Sequence, residues 1–171
     1  MAVIVTLDDV ARLIAADRAE GRTVALANGV FDLLHVGHIR YLEGAKAEAD
    51  RLVVAVNDDE SVRMLKGEGR PVMKQADRAE LVAALRCVDY VVIFPGRTVA
   101  DVLLRLKPDV HCKGTDYTVD TVPERAVVAA YGGRTAIVGD PKSHATRALL
   151  ARIAGTPNDA PRTSHPKGRE R

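Results

Sequence analysis

Five short runs of β-branched and aliphatic residues, each followed by a stretch of helical spacing, constrain this chain more than any other feature. The runs are RTVALAN (22–28), RLVVAVN (51–57), DYVVIF (89–94), PDVHCKG (108–114) and RTAIVGD (134–140). Helical patterns separate them: the stretch after Asn28, DDESVRMLK (58–66), ADRAELVAALRCV (76–88), TVADVLLRLK (98–107) and PERAVVAAYGG (123–133), with Pro123 suited to a first helical turn. TLDDVARLIAADRAEG (6–21) reads as a further helix, with Asp8 and Asp9 at its positive end. Strands that alternate with helices imply parallel pairing, right-handed crossovers and helices on both faces. The expectation is an α/β protein with a doubly wound, five-stranded parallel sheet. A last helix is expected over about 145–153, completing a domain of residues 1–154. From Gly155 to Arg171, Gly, Pro, Ser and charged residues dominate, and this segment reads as a disordered tail.

At 171 residues and 47% hydrophobic, the chain can bury one core without a disulfide or metal to hold it. Cys87 and Cys112 form no CxxC pair, and both lie in or beside apolar runs, as two buried thiols of a reducing cytoplasm do. The net charge is +2, with much of the basic excess in the last residues, and only 4% of residues are aromatic. That composition weighs against a nucleic-acid partner, which asks for a basic stripe with aromatics beside it. No apolar run approaches the ~18 residues of a membrane span, and no signal-peptide pattern opens the chain. A cytoplasmic protein with no membrane partner is expected.

Ligands of such sheets sit beyond the carboxyl ends of the strands, where the strand order switches. The stretch NGVFDLLHVGHIRYL (28–42) begins at such an end and runs into a helix whose Ile39, Leu42 and Ala45 share one face. Backbone N–H groups of Gly29, Val30 and Phe31, together with the helix start, form an anion pocket in this reading. His35 and His38, three apart, lie on one side of the first turn, and Gly37 between them lets a ligand approach the backbone. Zinc ligation lacks partners, since there is no HExxH and no cysteine pair. A hydrogen-bonded histidine pair at a helix start remains the plain alternative. Neither GxxxxGK[ST] nor GxGxxG occurs.

GVFDLLHVGH resembles the signature of the HxGH nucleotidyltransferases, the cytidylyltransferase-like superfamily, and the resemblance covers about Arg22 to Ile153. It implies a Rossmann-like fold and transfer of a nucleotidyl group from an NTP to a phosphate, with Mg²⁺ carried by the NTP phosphates rather than by direct protein ligands. His35 and His38 are then the groups that neutralise charge at the reacting phosphorus. NDDESVRMLKGEGRP resembles the segment that places an Asp near the nucleotide and a lysine on the phosphates, here Asp59 and Lys66; otherwise Lys66 is a solvated loop lysine. Arg78 matches a helix arginine that contacts phosphates, the alternative being a surface ion pair with Asp77 or Glu80.

The resemblance further implies nucleotide contacts at Gly139, Ser143 and Thr146, where SHATR stands in place of the family's Ser-Thr-Thr turn. His144 and Ala145 depart from that pattern, with Ser143 or Arg147 as substitutes. Acceptor contacts are expected at Asp32, Arg70, Lys113, Gly114, Asp116 and Tyr117, although KGTDY (113–117) also reads as a bland loop. LKGEGRPV with KGTDY resembles the branch that makes ADP-heptose, which joins ATP to D-glycero-D-manno-heptose 1-phosphate. That branch implies a homodimer and a separate sugar kinase in the same pathway. A glycerol-3-phosphate cytidylyltransferase using CTP, and a non-catalytic nucleotide-binding domain, are the competing readings.

Overall fold

The computed structural model describes residues 2–140. Its sheet contains β1 (Val3–Ile4), β2 (Val24–Gly29), β3 (Arg51–Asn57), β4 (Tyr90–Phe94), β5 (Val110–Gly114) and β6 (Arg134–Val138). The order is β1-β4-β3-β2-β5-β6, and every neighbouring pair is parallel. Around it lie α1 (Leu7–Ala19), α2 (Val36–Ala47), α3 (Asp59–Lys66), α4 (Gln75–Ala83), α5 (Ala100–Leu106) and α6 (Arg125–Ala130), with a 3-10 turn at Val119–Thr121. The protein is thus α/β and Rossmann-like, with six strands among the described residues where the sequence suggests five. The added strand, β1, is two residues long, too short to show a period. Its partner makes it: Val3 and Ile4 align with Tyr90 and Val91 at the edge of the sheet.

Local chemistry sets the helix starts. The Thr6 hydroxyl accepts the N–H of Asp9 and caps α1, and the Asp58 carboxylate accepts the N–H of Ser61 and caps α3. Helix α6 begins two residues after Pro123, with Glu124 at its cap, so the proline precedes the helix instead of opening it. The helix expected over 145–153 and the segment 155–171 lie outside the described residues.

Val24 to Ala27 are all fully buried, as a central strand covered on both faces requires. Ala25, Ala27, Val54 and Val56 pack with Leu42 and Ala45 of α2 and Ala79 and Val82 of α4. Val24, Leu26, Val53 and Ala55 pack on the other side with Val10 and Ile14 of α1, Leu103 of α5 and Val128 of α6. Of the three α2 residues expected to share a face, Leu42 and Ala45 are buried and Ile39, one turn before Leu42, is 36% exposed. Cys112 is buried in β5 but Cys87 only half-buried, and both are free thiols.

From β2 the chain adds β3 and β4 on one side, whereas β5 and β6 lie on the other. The order therefore switches between β2 and β5, and the carboxyl ends of those two strands, Asn28–Gly29 and Lys113–Gly114, flank the switch point.

Candidate active site

Beyond Gly29 the chain turns sharply. Phe31 takes a left-handed φ of 51°, which sends its ring down into the core at 3% exposure. A Cβ on Gly29 would stand 3.1 Å from that ring, so a larger residue there would make the ring shift by a few tenths of an ångström. The Phe31 ring meets His38 edge-on, centroids 5.2 Å apart. His35 is the N-cap residue of α2, and the His38 N–H donates to its carbonyl at 2.9 Å. The two imidazoles stack, centroids 3.9 Å apart and planes 23° from parallel. Gly37 falls between them as the second residue of α2. The result is a pair of aligned imidazoles at a helix N-terminus, beside the switch point.

Three elements are tied to this turn from below and beside it. Arg78, on α4, is completely buried. Its Nε donates to the Met73 carbonyl at 3.0 Å, one terminal nitrogen to the Val30 carbonyl at 2.5 Å, and the other to the Asp59 carboxylate at 2.8 Å. It is not the surface ion pair with Asp77 or Glu80: among the described residues its carboxylate partner is Asp59. Asp32, 6% exposed, accepts from Arg70 and from the N–H groups of Val72 and Met73 at 2.7 and 3.1 Å. The strap of residues 67–74, with Gly67 and Gly69 at positive φ, is thereby pinned to the turn that carries the imidazoles. Lys66, the last residue of α3, is exposed where this strap begins, and among the described residues it makes no ion pair.

A buried polar cluster occupies the β5 side of the switch point. Lys113, 8% exposed, donates to Asn28 Oδ1 at 3.1 Å, lies 3.6 Å from the Glu124 carboxylate, and sits over the Tyr117 ring at 5.3 Å. His111 Nε2 stands 3.2 Å from the same Asn28 oxygen. Burial, with Lys113 adding to it, lowers the His111 pKa to about 3; burial also lowers that of Lys113, against the pull of Glu124. Tyr117 and Asp116 are exposed beyond Gly114, the end of β5. Gly139 follows β6 at a φ of 89°, where a Cβ would meet the backbone of Tyr41 at 3.1 Å, so α2 packs closely against it. Ser143 and Thr146 lie outside the described residues.

The structure thus brings Gly29, Val30, Phe31, Asp32, His35, Gly37, His38, Asp59, Arg70 and Arg78 together around one turn, and sets Lys113 across the switch point. Sequence reasoning passed over Asn28, His111 and Glu124. A polar residue in an apolar strand, two before Lys113 and so on its face, was the available signal for His111. Among the described residues no group of three or more His, Cys, Asp or Glu is placed to hold a metal ion.

A cytidylyltransferase-like family model matches residues 26–159. The chain is 46% identical over 147 residues to "Bifunctional protein HldE" of Geobacter sulfurreducens, covering 86% of this chain and 30% of that protein. To the protein of the same name in Pseudomonas fluorescens SBW25 it is 43% identical over 150 residues, covering 88% and 32%. The chain spans about a third of the length of these curated relatives. Among solved structures, the lipopolysaccharide core biosynthesis protein from Thermoplasma volcanium GSS1 superposes with a TM-score of 0.62 at 27% identity, covering 71% of this chain and all of that one.

Proposed function

The chain belongs to the cytidylyltransferase-like family, and from that premise we propose that it transfers the adenylyl group of ATP to a sugar 1-phosphate, D-glycero-D-manno-heptose 1-phosphate, giving ADP-heptose and pyrophosphate. One observation carries the chemistry: two imidazoles stacked 3.9 Å apart at the N-terminus of α2, beside the switch point of the sheet. A phosphate monoester is largely dianionic at neutral pH, its second pKa being about 6, so the acceptor is its own nucleophile and needs no general base. Its oxygen attacks the α-phosphorus in line as the bond from that phosphorus to the bridging oxygen breaks. The electron pair leaves with pyrophosphate.

What remains for the protein is to hold two anions in line and to offset the charge that builds on the phosphoryl oxygens. His35, His38 and the first N–H groups of α2 do this, each well-aimed donor contributing roughly 3–4 kcal/mol in the transition state. Lys66 adds a cation from the rim. Arg78 acts indirectly, fixing Val30, Met73 and Asp59. A divalent cation, Mg²⁺ in this reading, takes oxygen ligands, and the imidazoles at the turn are poor ones for it, so the donor set suits an ion carried on the triphosphate. When bound it neutralises phosphate charge.

The heptose acceptor rests on LKGEGRPV and KGTDY, and it is supported by the 46% identity to the bifunctional protein and by the likeness to a lipopolysaccharide core biosynthesis protein. In this reading the enzyme works in the cytoplasm, where ATP and sugar phosphates are found, and the family resemblance supports a homodimer supplied by a separate sugar kinase. No helix among the described residues is long and apolar enough to cross a membrane. A pyrophosphate-release screen of NTPs against sugar and polyol phosphates tests the reading. ATP with heptose 1-phosphate should exceed CTP with glycerol 3-phosphate in kcat/KM by about 100-fold, or 2.7 kcal/mol. Preference for the CTP pair would overturn the acceptor and the base while leaving the reaction type.

A further inference from the structure

Asn28 is the last residue before the turn and stands at the end of the central strand, half-buried. Its backbone is fixed from the α2 face, where its N–H donates to the Tyr41 hydroxyl, which in turn donates to the Cys112 carbonyl at 2.8 Å. Its side chain faces the other way, with those of His111 and Lys113. The Lys113 ammonium can only donate, so the carboxamide atom 3.1 Å from it must be the oxygen. His111 Nε2, 3.2 Å from that same oxygen, must then carry a hydrogen, leaving Nδ1 bare. The His111 ring is fully buried and stays neutral, since its pKa is lowered to about 3. Two buried donors thus hold one carboxamide oxygen, and the orientation of the amide follows from them.

That orientation has a chemical result. With Oδ1 turned to His111 and Lys113, Asn28 Nδ2 faces away from them, and among the described residues it makes no hydrogen bond. Two N–H donors are therefore presented at the switch point, one residue before the Gly29 turn and on the Lys113 side of it. We infer that Asn28 is a specificity-determining residue, whose carboxamide N–H groups, aimed by His111 and Lys113, hydrogen-bond an oxygen of the acceptor sugar phosphate rather than of the nucleotide. The inference rests on the proposed function for the existence of an acceptor, and extends it by naming the group that reads it. The acceptor is favoured over ATP because the amide points, as Leu26 does two residues earlier, to the sheet face that packs on α1, α5 and α6, opposite the α2 face that carries the imidazoles. His111 and Lys113 act here as positioning residues.

Asn28→Asp keeps an oxygen for His111 and Lys113 while replacing the outward donor with an acceptor, so it alters the contact and leaves the clamp. The acceptor KM should rise at least roughly tenfold while the ATP KM stays within about twofold, as expected where a buried polar group loses its partner. A readout free of any substitution uses the Asn28 side-chain N–H resonances of the ¹⁵N-labelled wild-type protein. They should shift on addition of heptose 1-phosphate and stay in place on addition of ATP with Mg²⁺. No shift with any acceptor that supports turnover, or a shift with ATP alone, overturns the assignment. Turnover with no sugar or polyol phosphate would instead sink the proposed function, and resonances unmoved by heptose 1-phosphate would then sink this inference as well.

Discussion

Beneath the two imidazoles, Arg78 is wholly buried and its three nitrogens all meet oxygens of the protein; where the strap begins, Lys66 stands in solvent and, among the described residues, pairs with no carboxylate. Both are cations on helices beside one site. The surroundings give them opposite work. A buried guanidinium is costly unless its charge and donors find partners, and three of the five Arg78 N–H groups meet protein oxygens, which ties Val30, Met73 and Asp59 together. An exposed ammonium has no such constraint and remains available to a ligand. Residue type at a phosphate site therefore predicts little until burial is known.

The sharpest way to break this contrast is to remove Arg78. Arg78→Ala leaves the Asp59 carboxylate and two carbonyls without their donor and should cost about 3–5 kcal/mol of stability, seen as a large fall in Tm with turnover lost alongside it. An unchanged Tm with abolished turnover would mean that Arg78 serves the ligand after all. Next in size, His35→Ala or His38→Ala should lower kcat by roughly two to three orders of magnitude with the melting transition preserved, because each removes a donor used in the transition state. Near wild-type turnover in either folded variant removes the imidazoles from the chemistry. Smallest of the three, Lys66→Ala should leave Tm within about a degree and lower kcat/KM about tenfold, or 1.4 kcal/mol. A Tm loss as large as that of Arg78→Ala would erase the distinction between the two cations.

Much of this architecture was legible beforehand, for identifiable reasons. RTVALAN, RLVVAVN and DYVVIF become β2, β3 and β4 because strands buried on both faces need unbroken apolar runs, which are visible in one dimension. The two-residue β1 carries no such signal and exists through its pairing with Tyr90 and Val91. Ile39 fits the helical period yet remains exposed, since period alone does not say how far a neighbouring layer extends. At the site, the histidine turn was legible from its spacing. The burial of Arg78 was not, because Val30, Met73 and Asp59 approach it from three separate segments. The clamp on Asn28 was equally hidden, as it depends on β5 lying beside β2.

That adjacency has a kinetic side. The imidazole turn hangs from β2, whose other neighbour β3 is close in sequence: Thr23 and Asp50, joined by a hydrogen bond, are 27 residues apart. The clamp arrives from β5, and Asn28 and Lys113 are 85 residues apart. By loop-closure scaling, the longer closure costs only about 1 kcal/mol more than the shorter one, so distance in sequence hardly weakens the finished site. It acts on the order of assembly instead, because non-local pairings form late and slowly. By that rule a nascent or refolding chain is expected to gain its β2–β3 half, with both histidines, before β5 docks, and the amide proposed to read the acceptor would be aimed only when the sheet is joined on its far side.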